Sequence, residues 1–299
     1  MQLKPSALAG WISFVVLLFL SVFYFMAGPM LKVAAGPARY IVLGSVELFI
    51  FGVPLLFLVK YRPLQGLCDL RAKKMGKFKL FVLFTSLAAM FLSFVLNFIS
   101  TDTGSGQGLS VYYPSSGHAT FFEIIASVLA LAVIPALVEE LLVRGALFSL
   151  YEKRGTITAV LVTSMSFAML HTDPDVLLST FAASLFYGML VYITGSIWSS
   201  VFAHLISNVY SILVTILAAN YTFNLYWSYF FAANVVLFFV FLFFALRELE
   251  GHSKDGAMPL LDRGKNSFRV SLTGAVKNTG FLLFALLFLV RLTLILIFA

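Results

Sequence analysis

Cysteine is almost missing from this chain: Cys68 stands alone among 299 residues. No intrachain disulfide can form, and no cysteine-built metal cage is possible. Charge is scarce as well. Asp, Glu, Lys and Arg make up 11% of the residues and hydrophobic types 61%, whereas an ordinary soluble domain carries about 25% charged residues. A soluble fold of this length has no interior large enough for that much apolar surface, which excludes a water-soluble enzyme. The sequence contains no H-E-x-x-H, so the commonest helical zinc-protease signature is absent. The first apolar run, Leu8–Met30, exceeds the ~7–15 residues of a signal-peptide core and no A-x-A site follows it. It reads as a retained first span.

What the chain has is long apolar runs. Nine are candidates to span a bilayer: Leu8–Met30, Tyr40–Val59, Leu80–Ile99, Phe121–Leu150, Ile157–His171, Val176–Ile193, Ile197–Leu217, Leu225–Leu246 and Phe281–Phe298. The fifth is short for ~30 Å of hydrocarbon, and the ninth carries Arg291 in mid-run. The fold class expected is all-α, a polytopic transmembrane helix bundle of eight or nine spans, with 1–299 forming one membrane domain. Net charge is +7, but the basic residues are concentrated in loops, so no nucleic-acid partner is inferred. Loop 60–79 holds seven Lys and Arg, 247–277 holds six, and Lys153 and Arg154 follow the fourth span. The excess of basic residues on cytoplasmic loops then sets the N-terminus in the cytoplasm of an integral protein of the cell membrane, leaving only Lys32 and Arg39 outside. Loop 101–120 has no Lys or Arg, is rich in Gly and Ser, and reads as mobile.

Ionisable groups inside apolar spans are expensive and mark functional sites by default. Glu140 and Arg144 in VEELLVRG are four apart, so they share a helix face with Glu on the N-terminal side, the favourable order. Glu139 is turned about 100° away and is left as the carboxylate available for general-base chemistry. Phe167 and His171 are four apart in the fifth run; His204 and Asn208 are four apart in the seventh. Counted from the cytoplasmic ends at ~1.5 Å per residue, Glu139 lies ~18 Å above Tyr151 and His171 ~21 Å above Ile157, while His204 and Asn208 lie ~14 and ~20 Å above Gly195. Groups from three helices therefore share one depth. Pro135 precedes Glu139 by one turn and predicts a kink.

The ordered set Glu139-Glu140-x-x-x-Arg144, Phe167-x-x-x-His171 and His204-x-x-x-Asn208, with YGMLVYITGSIWSSVFAHLISN around the last, resembles the CPBP family of intramembrane endopeptidases (CAAX protease and bacteriocin-processing). It is similar to the type II CAAX-prenyl endopeptidases. The resemblance covers about 120–212, which it marks as the catalytic core. It implies a peptidase in which Glu139 and His171 activate a water, His204 and Asn208 stabilise the oxyanion, and Glu140, Arg144 and Phe167 support them. The implied partners are a peptide or membrane-anchored protein substrate and the lipid bilayer. No cofactor is expected. The alternative is zinc held by Glu139, His171 and His204, since two histidines and a carboxylate form a known ligand set. A non-catalytic membrane scaffold or immunity protein is the further alternative.

Overall fold

A computed structural model describes residues 4–33, 36–61, 68–101, 120–218, 226–256, 259 and 267–298. Among them every regular element is helical and no strand occurs. The helices are α1 (Pro5–Val33), α2 (Pro37–Lys60), α3 (Lys79–Thr101), α4 (Phe121–Glu152), α5 (Thr156–His171), α6 (Pro174–Thr194), α7 (Ile197–Ala218), α8 (Trp227–Lys254), α9 (Phe268–Val276) and α10 (Thr279–Phe298). Eight of the described helices are long and apolar enough to cross a membrane; α5, at 16 residues, is apolar but shorter, and α9 has nine residues. The polar loop read at 101–120 lies, beyond its two end residues, outside the described residues.

Each boundary has a local cause. Thr120 caps α4: its hydroxyl accepts from the Glu123 amide while the Glu123 carboxylate accepts from the Thr120 amide, a complete capping box. Asp173 caps α6 by accepting from the Asp175 amide, with Pro174 supplying the first helical residue. Between α5 and α6 the chain reverses at Thr172, whose φ of 52° lies in the left-handed region.

The fourth span is not a uniform helix. Two π-helical turns, Leu129–Val133 and Leu141–Leu147, bracket a short α segment, Ile134–Glu140. Pro135 has no amide hydrogen to give, and the turn ahead of it is wound wide, with Ile134 donating to the Leu129 carbonyl five residues back. The proline thus leads to a π turn at this position, a feature that recurs at functional sites.

The helices pack where small residues let backbones approach. Without a hydrophobic force between helices in lipid, such contacts carry much of the cohesion. α1 crosses α10 at Gly10 and Gly280, where a Cβ on Gly280 would meet the Trp11 amide at 2.4 Å. α2 runs along α4, and a Cβ on Gly44 would come within 2.9 Å of Ile134 Cδ1. α3 contacts α6, α7 and α8. Arg291 does not disqualify the last helix: its guanidinium donates to Ser21 Oγ on α1 at 3.3 Å. At the bundle end that carries the basic loops, Arg71 pairs with Glu152 and stacks over Phe148, and its carbonyl accepts from the Ile197 amide.

Overpacking a close crossing costs on the order of 1–3 kcal/mol. Gly280→Val should therefore lower the thermal midpoint in detergent. Gly52→Ala, where nothing lies within 4 Å of an added Cβ, should leave it unchanged.

Candidate active site

The site is built around a cation with no exposure. Arg144 and Glu140 are both 0% exposed, and Arg144 Nη1 donates to Glu140 Oε1 at 3.0 Å. Arg144 Nη2 donates to the Ser184 hydroxyl and carbonyl on α6. Its guanidinium lies 4.3 Å from the Phe167 ring centroid on α5 and 5.6 Å from that of Tyr187 on α6. A desolvated guanidinium over aromatic faces gains more than it would in water. Arg144 thereby ties α4 to α5 and α6, and the pair expected from spacing alone is present.

Glu140 reaches a third helix. The same oxygen, Oε1, accepts from His204 Nδ1–H on α7 at 3.0 Å, since an ionised carboxylate only accepts. His204 is 4% exposed. Its ring stacks on Tyr187 with centroids 5.5 Å apart, and Phe167 meets it edge-on at 5.5 Å. Phe167 also lies 4.8 Å from the His171 ring, so it separates and supports both histidines. His171 Nδ1–H donates to the Phe167 carbonyl at 2.9 Å. That bond assigns the tautomer and leaves Nε2 with its lone pair.

A cavity of about 450 Å³ opens beside these groups. It starts at the bundle end formed by Asn97 and Phe98 of α3, Asp173 and Asp175 at the start of α6, Ala218 of α7 and Trp227 of α8. It runs inward to Phe167, His171, Tyr187, His204 and Asn208. Three of the four residues expected to be catalytic thus line one cavity, together with Ser93, Ser179, Thr180 and Ser207, whose hydroxyls make its wall partly polar.

Glu139 is placed differently. It is 6% exposed and does not line this cavity. Glu47 on α2 lies close to it, and its Oε2 is buried with no hydrogen-bond partner among the described residues. Glu47 was not singled out from the sequence, although a signal was there. Glu47 stands thirteen residues before Lys60 and Glu139 thirteen before Glu152, which sets both ~20 Å from the same end of their helices. Among the described residues no three His, Cys, Asp or Glu side chains are grouped so as to hold a metal ion. Each histidine gives Nδ1–H to a protein acceptor and keeps Nε2 for other work, an arrangement that general bases and metal ligands both use.

Removing one partner of a buried ion pair leaves the other uncompensated, at about 3–5 kcal/mol. Arg144→Ala should accordingly lower the thermal midpoint in detergent and reduce the yield of folded protein. An unchanged midpoint would mean that the pair does not hold the helices together.

No curated protein and no solved structure matches the chain. Residues 121–210 match the family model described as type II CAAX prenyl endopeptidase Rce1-like, a family of proteases. The matched segment, about a third of the chain, contains Glu139, Glu140, Arg144, Phe167, His171, His204 and Asn208, and over it the chain is similar to that family.

Proposed function

We propose that the chain is an intramembrane endopeptidase that hydrolyses a peptide bond without a metal. The observation that carries this reading is the convergence of His171, His204 and Asn208 on one cavity, directly over the buried Glu140–Arg144 pair.

His171 Nε2, left with its lone pair, and Glu139, with Oε2 unpartnered, are the proton acceptors. They deprotonate a water as its oxygen attacks the scissile carbonyl carbon. The carbonyl π electrons move to oxygen and give a tetrahedral oxyanion. The Asn208 amide donates to that oxyanion from α7. His204 already gives Nδ1–H to Glu140, so it meets the oxyanion through Nε2–H as an imidazolium. The charges then match the transition state. Arg144 and protonated His204 share the single carboxylate of Glu140, and the oxyanion supplies the second negative charge. Donors fixed in advance at the place where charge develops are the largest common source of rate enhancement. Collapse of the intermediate breaks the C–N bond, and the leaving amine takes back the proton held by the acceptors.

The side of access follows from the charge distribution. The cavity begins at the bundle end that carries Asp173 and Asp175, while the basic loops lie at the other end. Basic loops mark the cytoplasm, so the substrate is a peptide or membrane-anchored protein whose scissile segment is presented on the outer side. The wall combines Phe94, Phe98, Val176 and Val214 with the two aspartates, which suits an apolar segment bearing a basic residue.

In detergent, Glu139→Gln and His171→Ala should abolish peptide hydrolysis with the thermal midpoint retained. Asn208→Ala should lower turnover about 10²–10³-fold, as loss of an oxyanion donor does. Activity should survive 1,10-phenanthroline; loss on chelation restored by zinc would establish the metal mechanism instead.

Access can be checked separately. A membrane-impermeant maleimide added to intact cells should label the D175C variant and not the wild type. Burial pushes the Cys68 thiol up, and the thiolate is the reactive form. Labelling of D175C only after cell lysis would reverse the orientation.

A further inference from the structure

Four cations meet at one corner of the bundle, at the end that carries the basic loops. Lys4 precedes α1, Arg154 follows α4, Arg269 lies on α9, and Lys277 stands between α9 and α10. Together with Ser6 and Asn278 they line a cavity of about 490 Å³. Among the described residues no carboxylate pairs with any of the four, and none lines the cavity. Glu152, two residues before Arg154, is taken by Arg71. A cleft lined by one sign of charge concentrates its field and draws in the opposite charge.

The fold holds one of these cations in place. Arg154 Nε donates at 3.1 Å to the hydroxyl of Ser6, a buried residue of α1. Its guanidinium is seated on Gly274 of α9: an added Cβ would collide with Nη1 and stand 2.8 Å from Cζ. Nη1 and Nη2 have no acceptor among the described residues, so their hydrogens remain for the cavity. A planar fork of this kind matches the oxygens of a phosphate. Asn278 braces the same corner. Its Nδ2 donates to the Ala275 carbonyl at 2.8 Å, and its Oδ1 accepts from the Phe281 amide at 3.0 Å.

Apolar surface adjoins the charge. On α9, Phe268 and Val270 are exposed while Ser271 and Ala275 are buried against the bundle. On α10, Leu282, Leu286 and Leu289 are exposed at a spacing of four and three, one stripe leading from Lys277 into the span. An anion with acyl chains satisfies both surfaces at once. We propose that this corner is a binding site for an anionic phospholipid: the phosphate sits among Lys4, Arg154, Arg269 and Lys277, and the chains lie along the leucines of α10. Free phosphate offers the same headgroup chemistry, but the stripe assigns the site to a lipid. Basic pockets between spans are suited to this use. The site owes nothing to the endopeptidase reading.

The test titrates the full-length protein in a neutral detergent with dioleoylphosphatidylglycerol, dioleoylphosphatidylcholine or inorganic phosphate. The thermal midpoint is followed, and bound lipid is counted by native mass spectrometry. Phosphatidylglycerol should raise the midpoint and stay bound at one per chain. Phosphatidylcholine, whose headgroup carries no net charge, should do neither at the same mole fraction. In the double variant Arg269→Gln/Lys277→Gln the half-effect should need about 30-fold more phosphatidylglycerol, each cation being worth about fivefold near an anionic surface. Both side chains are exposed, so this variant folds without them. Arg154→Gln should lose the retained lipid altogether; where it fails to fold, the double variant decides. Lys73→Gln/Lys74→Gln removes two exposed cations from the same end of the bundle and should leave the titration unchanged. Equal weakening in that control would reduce the effect to net charge and overturn the site. An unaltered titration in Arg269→Gln/Lys277→Gln would overturn it too, as would an equal response to the two lipids. A rise with inorganic phosphate and none with phosphatidylglycerol would overturn the lipid assignment.

Discussion

A guanidinium with no access to water must be surrounded by partners, and the centre of this molecule is arranged to surround one. Arg144 cannot lose its charge at any ordinary pH, so every group around it is selected by that charge: Glu140 four residues earlier, the Ser184 hydroxyl and carbonyl, and the faces of Phe167 and Tyr187. Because these partners come from α4, α5 and α6, satisfying one cation fixes three helices. Glu140 then carries the constraint to α7 through His204. The histidines and Asn208 are held at the rim of this polar centre. The division of labour within the glutamate doublet follows from this. Glu140 is the one tied to Arg144 and His204 through Oε1; Glu139, about one residue's rotation away, makes no bond to either of them.

Small residues and irregular turns let the polar centre sit inside a bundle that is otherwise apolar. Gly44 brings α2 to within side-chain reach of α4, and Gly188 admits Val160, with an added Cβ at 3.3 Å from Val160 Cγ1. Hydroxyls within the spans turn back onto their own helices. Thr163 donates to the Ala159 carbonyl, Ser86 to Val82 and Thr194 to Leu190, so these hydroxyls are spent within their own helices. Asn234 on α8 is a buried amide, and it is satisfied by Tyr210 and the Phe230 carbonyl.

Much of this could be read from the sequence because its causes are local. Apolar run length predicts the spans, and the fifth is as short in the structure as its residues imply. The four-residue spacing of Glu140 and Arg144 predicts their ion pair, and it is there. Arg291 looked out of place in a span until the structure supplied Ser21 from the far end of the chain, a partner no local pattern could name. Glu47 was missed for the same reason: its meaning depends on which helix lies beside α2. Its depth could have been computed from the chain ends, but its neighbour could not. Ser184 and Tyr187 are likewise partners of Arg144 only because α6 packs across it. Pro135 was readable as a disturbance, yet the widened turn ahead of it depends on what the surrounding helices tolerate.

The two π turns in α4 have a consequence for how this protein can change over generations. A π turn holds one residue more than the α turn it replaces, so each is an insertion absorbed in place. Deleting one residue from Leu129–Val133 would close that turn to an ordinary one and leave the flanking segments helical. The seven residues that follow would keep their outlook, because the wide turn had taken up the extra residue in place. The carboxylate doublet in that stretch would then stay where it is, so a lineage can gain or lose a codon at this turn while the centre of the bundle is untouched.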